Sequence, residues 1–522
     1  KEPNNVLLQP DEDLKPNQTY TVVIDDLRLR KGVAEDQTLT FTTRPLHEGP
    51  KNLVVKDDAF EVSRRMPDGS EMEPVMDFSS FRFQFTQPVD RATATYGDSV
   101  TLTSSGGDTV DATLLIDGAY MTVDPDAEYL NAGETYTLDI TADLASTYGE
   151  TFGAESYTFT PKDSSPGREP AILVQKLTQG TTSRLTGKPV NEVPVNGTLL
   201  GENDNITQAS AEVVRAELAD VTTYTDVTPI RLPKGTVLNG AEINPILIGG
   251  EVPAGFGSGD VTMTVLSDAS GYLVPNPYAE NNPDALRIVH LLMDVGIATS
   301  EARANGAFTQ DLMHIELVGL AEVDPEAGVL NLDAVSVVEP NILGQEYGYG
   351  MLSFQLQSYK DQNNAPQVVG DDTPPALQSW SLEDLVGGQA KTGLVKPGDP
   401  IILNFDEPLN AASVAGKVHL LENDSEVEAA VNVSGSAIVV NPASPLTFAH
   451  ELDPVDYELV LDSGITDISG NETASISKSF ALPLVVDQII GGIDPSENPE
   501  EMRIRPPVVT ATYPGFACVA DP

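Results

Sequence analysis

Cysteine is all but absent: Cys518 is the single one in 522 residues. A lone cysteine cannot close an internal bridge, so stability must come from packed cores. At roughly 100–200 residues per domain the length supports about three to five of them. So little cysteine fits secreted bacterial proteins and cytosolic ones alike. Positive charge is also scarce, with 29 Lys and Arg against 79 Asp and Glu, a net charge of −50. That balance excludes nucleic acid as a partner, because phosphate backbones demand a basic surface. It also disfavours anionic lipid surfaces unless cations bridge the two. No apolar run approaches the ~18 residues of a membrane-spanning helix, so no transmembrane segment is expected. No signal peptide opens the chain, so any export signal or lipid anchor is expected upstream of Lys1.

Catalytic residue types are thin as well. The five histidines are His47, His290, His314, His419 and His450, and no two stand at zinc-ligand spacing. His290 and His314 fall on two strand-like segments and could be neighbours in a sheet. Neither a Gly-x-Ser-x-Gly elbow nor a phosphate-binding glycine loop occurs. Among so many acids, carboxylate pairs arise by chance and do not argue for glycoside hydrolysis. Sugar-stacking aromatics are few, and the one tryptophan, Trp380, reads as core packing. These absences predict a chain that is not an enzyme.

What is present is a repeat. The stretches Leu14-Lys15-Pro16-Asn17-Gln18-Thr19-Tyr20-Thr21-Val22, Leu130-Asn131-Ala132-Gly133-Glu134-Thr135-Tyr136-Thr137-Leu138 and Leu452-Asp453-Pro454-Val455-Asp456-Tyr457-Glu458-Leu459 share one pattern. In each, turn-forming residues lead into a strand that alternates in polarity around a tyrosine. Upstream, Phe83-Gln84-Phe85-Thr86-Gln87-Pro88-Val89-Asp90 matches Leu403-Asn404-Phe405-Asp406-Glu407-Pro408-Leu409-Asn410. Nearly the same interval separates Pro88 from Tyr136 and Pro408 from Tyr457. A closing strand follows each tyrosine and carries Phe41, Phe159 or Phe480. Modules of this size and rhythm are β-sandwiches, and the tyrosine could serve as a corner residue with its hydroxyl on nearby backbone.

These motifs, with the loop Thr466-Asp467-Ile468-Ser469-Gly470-Asn471, resemble bacterial Ig-like domains of the type found in S-layer and surface-lipoprotein proteins. The resemblance implies an extracellular, cell-surface protein and covers a little over half of the chain. The expected organisation is the back half of an Ig-like module over 1–46 and a full module over 47–163. An unassigned β-rich domain over 168–368 and a second full module over 371–483 follow. Residues 484–522 would be a linker and the start of a further module. The fold class is therefore all-β: tandem Ig-like sandwiches around one larger, sandwich- or jelly-roll-like domain. Within the latter, the stretch from Thr207 to Leu218 has the spacing of a short helix.

Calcium is the chemistry these acids fit best, since Ca²⁺ takes oxygen ligands. The candidate site is Asp371, Asp372, Asp467 and Asn471, with Asp11–Asp13 and Asp124–Asp126 as further clusters; none has EF-hand spacing. The acids could instead serve only solubility. The function expected is structural or adhesive, as a unit of a rod, lattice or filament. Its partners would be copies of itself or another surface protein or glycan. The alternatives are the accessory arm of a larger secreted hydrolase, or glycan binding by the middle domain.

Overall fold

Alternating polarity makes strands when one face is buried, and almost every regular element here is one. The computed structural model describes residues 14, 18–25, 28–29, 32–33, 37–43, 59–194, 206–208, 213–242, 246–247, 252–253, 257–279, 285–301, 309–324, 329–338, 350–367, 370–382, 398–447 and 455–482. The Asp11–Asp13 cluster, Cys518 and the expected further module lie outside them.

The first described unit is a hairpin, β1 (Thr19–Ile24) with β2 (Gln37–Thr42). The first module follows. Its four-stranded sheet runs β3 (Val62–Met66), β4 (Phe81–Phe85), β7 (Tyr120–Pro125) and β6 (Ala112–Asp117). A facing sheet runs β9 (Glu155–Phe159), β8 (Tyr136–Ile140) and β5 (Val100–Ser104). Between them Phe83, Phe85, Leu102, Met121, Leu138 and Ile140 form the core.

The middle domain closes on itself. Its strands are β10 (Ala171–Leu177), β11 (Val214–Leu218), β12 (Thr228–Leu232), β13 (Val237–Gly240), β14 (Val261–Val265), β15 (Ala269–Val274), β16 (Arg287–Thr299), β17 (Gln310–Asp324), β18 (Val329–Val338) and β19 (Gly350–Ser358). The ring order is β10-β11-β12-β15-β16-β17-β18-β19 and back to β10, every pairing antiparallel. This is an up-and-down barrel of eight strands, and β14 and β13 continue outward from the far half of β16. Inward residues such as Val289, Leu291, Met293, Leu317, Leu332 and Leu356 pack together in its core, as barrels of this size allow. Outward residues such as His290, Asp294 and Glu316 are polar. Among the described residues no helix is long and apolar enough to cross a membrane.

A helix is expected from Thr207 to Leu218, but the described residues there form strand, Ile206–Gln208 and β11. Val214, Ala216 and Leu218 are buried at alternate positions against β10, so pairing overrode the weak helical spacing.

The second module repeats the first. One sheet runs β20 (Leu377–Trp380), β21 (Ile401–Phe405), β25 (Ala437–Pro442) and β24 (Ala429–Ser434). The other runs β23 (Ser425–Val427), β22 (Val418–Glu422), β26 (Tyr457–Leu461) and β27 (Ile476–Phe480), with a single helical turn α1 (Ala411–Val414) at the side. Trp380 is buried edge-on against Phe480, as core packing requires.

All three repeats place the tyrosine opposite the phenylalanine. Tyr20–Phe41, Tyr136–Phe159 and Tyr457–Phe480 stack at 5.8, 5.9 and 5.2 Å. The corner role is present in both full modules. The Tyr136 hydroxyl accepts from the Asn131 N–H at 3.0 Å, and the Tyr457 hydroxyl from the Thr447 N–H at 2.7 Å.

Candidate metal centre and the module interfaces

The turn after β21 carries Asp406-Glu407-Pro408, and proline ends the strand by removing a ladder donor. Leu409, the next residue, bridges to Asp467 in the loop between β26 and β27. That bridge brings Glu407 and Asp467 together, and the segment leading into β20 adds Asp371. One carboxylate oxygen from each of Asp371, Glu407 and Asp467 lies within 4.8 Å of the others. Asp467 is 1% exposed, so its charge sits away from bulk water.

Three carboxylates this close repel one another. Burial, then Asp371 and Asp467, push the Glu407 carboxyl up to about 8. Burial opposes charge on Asp371 too, but hydrogen bonds from Thr373 and Glu407 hold its carboxyl below the ordinary value. The arrangement offers oxygen ligands alone and excess negative charge, the donor set of a hard cation such as Ca²⁺. Asp371, Glu407 and Asp467 could hold it.

Of the residues expected at this site, the structure joins Asp371 and Asp467. Asp372 is not among the converging carboxylates. Asn471 takes part differently: its amide nitrogen donates to Asp467 Oδ2 at 2.8 Å and to the Asp371 carbonyl at 3.1 Å. It positions the carboxylates and turns its nitrogen toward them. Glu407 was missed, although the repeat contained a signal. In the first module Gln87 stands where Glu407 does, and Ser146 stands where Asp467 does, across the matching bridge to Val89. There Gln87 Nε2 donates to Glu150 at 2.9 Å. The fold is thus built equally well without the acids. The Asp124–Asp126 pair is not a second site, because Lys234 Nζ reaches both carboxylates at 3.1 and 3.6 Å.

A second set of polar groups joins the first module to the barrel. Arg82 of β4 donates to Ser270 Oγ at 3.0 Å, to Ser267 Oγ at 3.0 Å and to the Asp268 carbonyl at 2.9 Å. Its guanidinium is 3.3 Å from Asp294 of β16. Asp294 also accepts from Thr122, Ser267 and the His314 backbone N–H at 2.9, 2.6 and 2.7 Å. Thr122, His314 and Asp294 have the residue types of a nucleophile triad, and Thr122 Oγ1 lies 3.1 Å from His314 Nε2, but the link from the imidazole to the carboxylate is missing. Asp294 meets the His314 backbone rather than its ring, and Thr122 and Asp294 are fully buried. Arg231 of β12 makes a second clamp to Glu217 (Nε to Oε2, 2.9 Å) and Asp268 (2.8 Å), and its guanidinium lies over Tyr129 and Phe78 of the first module.

His290 and His314 are not neighbours. His290 pairs with Val318 across β16–β17 and bonds Glu316, which Arg64 of the first module also holds; His314 sits at a bulge opposite Asp294. The second module meets both other units: Pro408 packs on Gly296 of β16, and Arg91 Nη1 donates to the Val433 carbonyl at 3.0 Å. The two modules are therefore packed around the barrel and not strung end to end.

Residues 58–161 and 371–481 both match the family model of the bacterial Ig-like domain. These two modules are bacterial Ig-like domains. Over 98% of its length the chain is 34% identical to alkane uptake protein B of Marinobacter nauticus, and it spans half of that protein. Solved structures of the S-layer protein SbsC overlay on it at 13–17% identity. One, of the N-terminal part, covers 39% of this chain and 43% of that one, and another covers 82% and 54%. Both have a TM-score of 0.18, too low to bear on function.

Proposed function

We propose that this chain is a non-catalytic structural part of a bacterial cell-surface protein that serves the uptake of hydrocarbons. The observation that carries the structural half is the buried Arg82–Asp294 pair, which ties the first Ig-like domain to the barrel, beside the buried Arg231–Glu217 pair within the barrel itself. The hydrocarbon half is supported by the likeness, along nearly the whole chain, to a protein described as an alkane uptake protein. A Ca²⁺ ion at Asp371, Glu407 and Asp467 would brace the start of the second Ig-like domain. Its neighbours in the assembly would be further copies, or another surface protein or glycan.

The test is removal of the gene from its host. Growth on n-hexadecane should slow while growth on a soluble acid is unchanged, and protease added to intact cells should reach the protein. Equal growth on both carbon sources would refute the uptake role, and protection from protease would refute the surface location.

A further inference from the structure

We propose that the cleft where the two Ig-like domains face each other across the barrel binds an unbranched n-alkane chain; the idea rests on the uptake reading above. The cleft has a volume of about 410 Å³, within the roughly 300–1,000 Å³ of small-molecule sites. One wall is β6 of the first domain, with Leu114 and Ile116. The other is the open side of the second sandwich, with Val414 and Val431, and Leu266 of the barrel adds a third side. The sandwich is open there because β24 is the edge strand of its sheet and β22 belongs to the opposite sheet.

Leu114 and Ile116 on one wall and Val414 and Val431 on the other offer an aliphatic chain dispersion contacts from both sides, with the polar Arg91, Asp311 and Asn432 beside them. Among the described residues the barrel's inward side chains pack against one another. The lining also selects against a charged head group. Arg91 is its one cation among the described residues, and its guanidinium is committed to Asp117 at 3.4 Å and to the Val433 carbonyl at 3.0 Å. Asp311 adds negative charge to the same lining, and the whole chain carries −50. A fatty acid would bring an anion to a surface with no cation to spare, while an alkane brings none.

The purified full chain is titrated with n-hexadecane and, separately, with palmitate, each read by displacement of a polarity-sensitive fluorophore. Hexadecane should displace the probe and palmitate should compete poorly. Ala411→Trp and Ala415→Trp fill the cleft from the second domain's wall at positions outside its packed core. Each should weaken hexadecane at least about tenfold with an unchanged melting midpoint. The assignment is overturned if hexadecane does not bind, if palmitate alone binds, or if both tryptophan variants bind hexadecane as well as the native chain. A growth defect on hexadecane together with no binding by the purified chain would sink the cleft and leave the uptake role standing. Normal growth without the gene, beside clear binding, would do the reverse.

Discussion

Arg82 of the first Ig-like domain and Asp294 of the barrel lie 3.3 Å apart with side chains 1% and 0% exposed, so each domain buries a charge that only the other neutralises. Removing one partner leaves the other uncompensated in a dry interface. Arg82→Met should cost about 3–5 kcal/mol, whereas Arg82→Met with Asp294→Leu should cost clearly less. Calorimetry of the single variant should show the two domains melting separately. A single transition at the native midpoint would contradict the clamp.

The same interface should weaken in acid. Burial lowers the His314 imidazole from 6.5 to about 4, against the pull of Asp294. The unfolded chain therefore takes up a proton before the folded one does. Stability is full above pH 6.5 and falls as the pH drops from 6.5 toward 4. Asp294, held below its ordinary value, adds its own loss only at still lower pH. His314→Gln should flatten the melting midpoint between pH 6.5 and 4; a slope equal to the native one would show that another group is responsible.

Calcium should act in the opposite range. With the folded pKa of Glu407 raised to about 8, the cation-free second domain should lose stability as pH rises from the ordinary 4.5 through 8. Added Ca²⁺ should reverse that trend, by about 2.7 kcal/mol at a hundredfold excess over the dissociation constant. Glu407→Gln should remove both the pH slope and the Ca²⁺ response. A midpoint indifferent to Ca²⁺ and chelator would eliminate the site.

Tyr457 should matter for its hydroxyl as well as its ring. It accepts from the Thr447 N–H and donates to Glu422 at 2.6 Å. Tyr457→Phe keeps the stack on Phe480 and should still cost about 1–2 kcal/mol in urea unfolding. A change within error would reduce the corner to packing alone.

Gly319 tests barrel closure. A Cβ there would stand 2.1 Å from the Asp333 carbonyl and 2.4 Å from the Ala334 Cα, both backbone of the adjoining strand. Gly319→Ala should destabilise the barrel by about 1–3 kcal/mol, read as faster amide exchange in β17 and β18. Unaltered exchange would show that the strands can part there freely.

The Ig-like repeat was legible because its marks are local. A tyrosine opposite a phenylalanine, a proline after Phe85 or Phe405, and alternation around each recur whatever lies outside the module. Of the candidate cation site, Asp371 and Asp467 were legible, each as an acid in a turn or loop beside a module. Glu407 was not, because a lone glutamate before a proline looks like any solvated acid until the Leu409–Asp467 bridge folds it inward. Arg82 sits at a polar position of an alternating strand and reads as solvent-facing, yet every residue of β4 is buried.

The sequence by itself determined the element type and the repeat, since periodicity and turn chemistry act within a few neighbours. Only the tertiary structure decided that the middle strands close into a barrel, that two domains wrap around it, and that Asp371, Glu407 and Asp467 converge. Those outcomes depend on pairings between residues far apart in the chain, such as β10 with β19 or Arg82 with Asp294, and no local pattern encodes which distant partner will exclude water from a given face.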